Sequence, residues 1–170
     1  MDHCAACGFD YYSVPRPEIG DRLRALGDEH AERLTETPAA FLRLHPAEGW
    51  SALEYGCHVR DVLLNQRGRI ELTQREDAPT FVPMGRDELA VDERYNDQAP
   101  DTVALALTRA AGALATLLAA LDYTGWARTA TYNYPEPALR DVDWIARHTV
   151  HELHHHLADV HRVLKAALED

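Results

Sequence analysis

Hydrophobic positions recur at helical spacing in four stretches of this chain, and the prolines fall between or ahead of them. Ile19, Leu23, Leu26, His30 and Leu34 lie three or four residues apart. They share one face and predict a helix from about Glu18 to about Glu36. Pro15 and Pro17 stop any earlier helix, because proline lacks an amide hydrogen and clashes with the preceding turn. Residues 1–17 therefore read as an irregular segment ahead of a domain covering 18–170. Pro38 and Pro46 bracket a looser connector. Ser51-Ala-Leu-Glu54 has the spacing of a capping box and predicts the start of a second helix. That helix continues to about Glu76 with Tyr55, Val59, Val62, Leu63, Gln66 and Ile70 on one broad face.

A long connection follows, from about Asp77 to Pro100, holding Pro79, Pro83, Gly85 and many charges. Asp101 offers a cap for a third helix, rich in Ala and Leu, ending near Leu121. Residues 122–139 form a second long connection with Gly125, Pro135 and Pro137, in which Thr129–Tyr134 suits a short extended piece. A fourth helix is expected from about Asp141 to about Leu168. Four helices of roughly 18 to 28 residues, with almost no sheet, predict an all-α four-helix bundle. Long connections allow consecutive helices to run parallel, and both are expected to fold over one end of the bundle.

At 170 residues the chain suits one domain, and its 46% hydrophobic content argues against disorder. The net charge of −11 speaks against nucleic acid as a partner, since binding it requires a basic surface to displace counterions. No apolar run is expected to reach the ~20 residues that cross a bilayer. The start, Met-Asp-His-Cys-Ala-Ala-Cys, lacks the basic and apolar regions of a signal peptide. A cytoplasmic protein with no membrane contact is the expectation. Cys4-x-x-Cys7 has the spacing of a metal or redox pair, but it supplies only two ligands, and no second pair follows to complete a zinc ribbon. The alternative is a mobile pair without an essential role. Cys57 is expected to pack as a small apolar residue.

The fourth helix changes the picture. Six of the ten histidines fall between His148 and His161, although histidine is a poor helix former. Imidazole is the commonest metal ligand, and residues four apart share a helix face. At 100° per residue, Val142, Ala146, Leu153, Leu157, Val160 and Leu164 form an apolar stripe. Glu152 and His156 lie on its shoulder, while His148, His151 and His155 fall on the far side and are expected to face solvent. On the second helix, His58 also sits on the shoulder of the apolar face. His58, Glu152 and His156 are thus the expected metal ligands, with His151 and His155 as the alternative pair. Asp61 and Asp159 are candidates to accept a proton from a ligand imidazole. Glu54 has a capping role available to it. Arg60, Arg94 and Tyr95 are conceivable substrate contacts that nothing in the sequence selects.

Two motifs carry a family resemblance. Trp50-Ser-Ala-Leu-Glu-Tyr-Gly-Cys-His58 is similar to a tryptophan followed eight residues later by the first metal-binding histidine. Glu152-x-x-x-His156-x-x-Asp159-Val160 resembles a Glu-x-x-x-His-x-x-Asp-Leu pattern. Together, in these helices, they resemble the DinB-like superfamily, in particular its mycothiol-dependent maleylpyruvate isomerase branch, over about residues 18–168. The resemblance implies an up-down-down-up bundle and a divalent metal on His58, Glu152 and His156, usually zinc, with nickel or iron as alternatives. It also implies a small thiol such as mycothiol docked near the metal, a small-molecule substrate, and a homodimer. The extra C-terminal domain of the maleylpyruvate isomerase itself has no counterpart in residues 1–170, so a bundle without it is the expectation. Three protein ligands leave an open position, which marks a catalytic zinc site rather than a structural one. The expected activity is thiol S-transfer or isomerisation. The alternatives are a metal-dependent hydrolase and a non-catalytic, stress-related metal-binding protein. Cys57 is no candidate for the thiol, because adjacent helical residues point about 100° apart.

Overall fold

The computed structural model describes residues 3–133 and 136–169. Its long helices are α1 (Ile19–Glu36), α3 (Ala52–Arg75), α5 (Pro100–Ala119) and α7 (Val142–Glu169). Short helices α2 (Ala39–Leu42), α4 (Arg86–Asp92) and α6 (Tyr123–Ala127) lie in the connections. Strands β1 (Thr129–Tyr132) and β2 (Ala138–Asp141) pair antiparallel, with Thr129 opposite Asp141. The predicted extended piece is therefore β1; its last residue, Tyr134, and Pro135 lie outside the described residues.

Local chemistry explains the helix starts. Ser51 accepts from the Glu54 amide while the Glu54 carboxylate accepts from the Ser51 amide, closing the capping box. The Asp141 carboxylate accepts from the Trp144 amide and caps α7. Asp101 does not cap α5. The helix begins one residue earlier at Pro100, with no side-chain cap, because proline at the first helical position has its φ preset and no amide to satisfy.

The predicted apolar faces become the core. Ile19, Leu23, Leu26 and Leu34 of α1 are buried, as are Tyr55, Val59, Val62, Leu63 and Ile70 of α3 and Val142, Ala146, Leu153, Leu157 and Val160 of α7. Gly27 of α1 approaches Ala111 of α5, and Gly20 approaches Ala115, so these helices run antiparallel. Gly56, early in α3, meets Leu34, late in α1, so α3 also opposes α1. α7 runs with α1: Arg16 bonds Asp143 at one end, and His30 bonds the Leu153 carbonyl farther along. The order is up-down-down-up.

Because α3 and α5 are parallel, the connection between them must travel back along the bundle. Its first part meets the hairpin, where the Phe81 amide donates to the Thr131 carbonyl and the Thr131 amide to that of Pro79. It then returns to place Tyr95 beside Cys57 and Asp61. Only the second connection stays at one end, which corrects the expectation for the first. A second correction concerns α5, which by length and composition could cross a membrane, with mean hydropathy 1.6 over its apolar window. Here Val103, Leu107, Leu114 and Leu118 give it a buried face in the bundle, the position of a core helix.

His30 is buried to 1% exposure between α1 and α7, and its Nε2–H donates to the Leu153 carbonyl at 2.9 Å. Burial disfavours the imidazolium and pushes its pKa down to about 4. The unfolded chain then takes up this proton first as pH falls below ~6.5, so stability is lost between that value and about 4. Urea unfolding should show about 2 kcal/mol less stability at pH 5 than at pH 7 from this group, and His30→Gln should flatten that slope. An unchanged slope in the variant would assign acid sensitivity elsewhere.

Candidate metal centre

His58 projects from α3 toward Glu152 and His156 on α7, one helical turn apart. The three offer ligand atoms that all lie within 4.8 Å of one another. The His58 and His156 rings meet edge to face at 4.8 Å, and His156 Nε2 is 3.8 Å from Glu152 Oε2. His156 Nδ1 lies 3.1 Å from Asp159 Oδ2, which fixes the proton on Nδ1 and leaves the Nε2 lone pair free. Burial, reinforced by His156, pushes His58 down to about 3, so it is a neutral donor. Burial would raise Glu152, but the imidazoles of His151, His148 and His156 offset it and hold the carboxyl at about 2. His58 Nδ1 is buried with no hydrogen-bond partner, which is costly unless something else satisfies that ring. Two neutral imidazoles and one carboxylate, converging with an orphaned nitrogen among them, fit a divalent cation such as zinc.

The centre opens on a cavity of about 430 Å³. Val62, Asn65, Gln66 and Arg69 continue along α3 from His58, and Trp144 and His148 continue along α7 from Glu152. Arg86 and Arg140 add two further cations to the wall. Arg69 is held by Tyr132 Oη and the Val82 carbonyl, and Arg140 lies 4.5 Å over the Trp144 ring. Tyr11 Oη and His148 Nδ1 share a hydrogen bond of 2.7 Å, burial having raised the tyrosine and pushed His148 down to about 4.

A family model described as the DinB superfamily matches residues 16–160. The chain belongs to the DinB superfamily. Among solved structures it is similar to YfiT from Bacillus subtilis, described as a probable metal-dependent hydrolase with an unusual four-helix bundle topology. That match has a TM-score of 0.76 and 16% identity, and covers 86% of each chain. It supports the fold. No curated protein sequence matches significantly.

Within this DinB fold the sequence-derived residues separate clearly. His58, Glu152, His156 and Asp159 come together. Trp50 packs edge-on to His58 at 5.0 Å, so it walls the first candidate ligand. Asp61 does not reach a ligand imidazole, because its oxygens accept from Arg60 and from Tyr95 Oη at 2.6 Å. Tyr95 is wholly buried. Arg60 is tied to Asp61 and Gln98, and Arg94 pairs with Asp97 on the surface. None of the three lines the cavity. Cys57 is buried, its thiol pushed up to about 12 by burial, consistent with the expected apolar role.

His148 and His151 overturn the expectation of a solvated outer face. Both are buried, because the N-terminal segment lies across that face of α7. Phe9 packs on His151 and His154, Tyr11 packs on His148 and His151, and Arg147 donates to the Tyr11 carbonyl. The wall residues Arg69 and Trp144 also escaped the sequence reading. A signal existed for both: His58, Val62, Asn65 and Arg69 recur at helical spacing, as do Trp144, His148, His151 and His155.

Proposed function

We propose that this protein is a metal-dependent enzyme in which His58, Glu152 and His156 hold zinc, or nickel or iron in its place. A small thiol of the mycothiol type serves as nucleophile in S-transfer or isomerisation. The observation that supports this most is the character of the cavity beside the donor set. Its wall carries Arg69, Arg86 and Arg140, while Glu152, already a ligand, is the sole carboxylate among the described lining residues. A cation with an open position lowers the pKa of a thiol or water placed there. Guanidinium groups grip carboxylate-bearing substrates in bidentate fashion, and they donate hydrogen bonds to the hydroxyl and amide oxygens of a neutral thiol of the mycothiol type. Asp159 holds the ligand tautomer of His156, and Trp144 and Tyr132 supply flat apolar walls against which a substrate can be oriented.

A hydrolase is the second reading, and the description of YfiT favours it. The readings separate in one assay. Zinc-loaded protein is titrated with mycothiol and simple carboxylate-bearing thiols, and turnover of a generic ester and amide is followed without thiol. Saturable thiol binding is the expected outcome, weakened at least about tenfold in Arg69→Gln for the carboxylate-bearing thiols. Absence of binding at millimolar thiol, together with thiol-free hydrolysis, would establish the hydrolase instead.

A further inference from the structure

The Cys4-x-x-Cys7 pair is not used by the centre just described, yet it is ordered and placed. Its backbone closes a tight turn: the Gly8 amide donates to the Cys4 carbonyl and the Cys4 amide to the Phe9 carbonyl, both at 2.8 Å. Gly8 has φ +74°, in the left-handed region that glycine enters without strain. His3 and Asp10 pair across the base of the turn. The turn presents both thiols to α7, where His151 and His155 stand four residues apart on one face. All four ligand atoms lie within 4.8 Å of one another, and Cys4 Sγ is 3.8 Å from His155 Nδ1. A tetrahedral zinc site with ordinary bond lengths has sulfur-to-nitrogen edges of about 3.6 Å.

His151 adds an independent observation. Both of its ring nitrogens are buried without a well-formed hydrogen bond, and its polar neighbours are the Glu152 carboxylate, 3.2 Å from Nδ1, and the Cys4 thiol. A protein seldom buries an imidazole with both nitrogens unsatisfied, since each costs its desolvation. We propose that Cys4, Cys7, His151 and His155 form a second, closed Cys2His2 zinc site that clamps the N-terminal turn to the outer face of α7.

The sequence spacings agree with this chemistry. Cys-x2-Cys and His-x3-His are the two halves of a structural zinc site, and the halves need not be neighbours in sequence. The fold brings the second half from the last helix, which completes the ligand count that the N-terminal pair lacks. Two thiolates and two neutral imidazoles balance the charge of zinc, and binding releases the two thiol protons to solvent. Four protein ligands leave no open position, so this ion is structural. Cys4 and Tyr11 also line the cavity, so the clamp fixes one of its walls.

The test uses the full chain, purified under reducing conditions. The expected result is about two equivalents of zinc per chain, falling to about one in a Cys4→Ser/Cys7→Ser variant. Cobalt-substituted wild-type protein should show sulfur-to-cobalt charge transfer with no thiol added. His156→Ala should keep that band and the double serine variant should lose it, which separates this site from the first. Without any mutation, alkylation should find Cys4 and Cys7 protected in zinc-loaded protein and reactive after a chelator. A cobalt spectrum lacking the sulfur band, or alkylation equally fast with and without chelator, would overturn the proposal whatever becomes of the His58 centre.

Discussion

Replacing His156 with alanine should cost the protein one equivalent of metal and all metal-dependent turnover. In the proposed centre His156 supplies one of three ligands, so its loss would leave His58 and Glu152, two donors on different helices, to hold an ion that water competes for. A drop in affinity of at least about a hundredfold is expected, since loss of a mere orienting partner already costs 10- to 100-fold. Asp159→Asn is that milder case. It retains the ligand but removes the carboxylate that lies 3.1 Å from His156 Nδ1. Affinity should therefore fall by about one order of magnitude or somewhat more, and the stoichiometry at saturating metal should be preserved. Competition against a chromophoric chelator gives both numbers. Helix content by circular dichroism should be unchanged, because the buried apolar face of α7, Leu153, Leu157 and Val160, is untouched. Full retention of metal in His156→Ala would move the principal site to the face carrying His151 and His155.

The contrast between the two faces of α7 shows where sequence reasoning stops. The inner face was legible because burial against a bundle leaves a periodic record: Leu153, Leu157 and Val160 mark the direction of the core, and Glu152 and His156 follow from them. The capping box at Ser51 was legible for a similar reason, since its partners are three residues apart. His148 and His151 were misassigned because what covers them is Phe9 and Tyr11, more than a hundred residues away in a segment with no periodicity of its own. The same long-range contact hides the partners of Cys4 and Cys7. Asp61 failed as a partner for a ligand imidazole because Tyr95, from a connection without helical pattern, takes its oxygen. In each case the local signal was correct about the element and silent about what the irregular segments deliver to it. The long return path of the connection after α3 belongs with these. It follows from the parallel placement of α3 and α5, which loop length permits but does not dictate.

Two glycines inside helices should respond to substitution with opposite signs. Glycine in a helix interior costs about 1 kcal/mol relative to alanine, so each should be a candidate for stabilisation on propensity alone. Gly68, on the exposed face of α3, has no atom within 4 Å of the position a Cβ would take. Gly68→Ala should therefore raise stability by about 0.5–1 kcal/mol. Gly27 is different. A Cβ there would sit 2.8 Å from the Ala111 Cβ and 3.5 Å from Leu107 Cδ2. The Ala111 methyl has no rotamer in which to retreat, so relief requires α1 and α5 to move apart along their whole contact. Gly27→Leu should cost about 3 kcal/mol or more by overpacking, a fall in Tm on the order of 10 °C for a chain of this size. Gly27→Ala should lose much less, because the helix-propensity gain offsets part of the clash. Truncating the facing side chain should lessen the damage: Gly27→Leu combined with Ala111→Gly should recover part of the loss, since the two positions share one contact and their effects cannot be additive. Thermal unfolding of the four variants decides it. A Gly27→Leu protein as stable as the parent would mean that α1 and α5 are not in the close approach that the glycine permits.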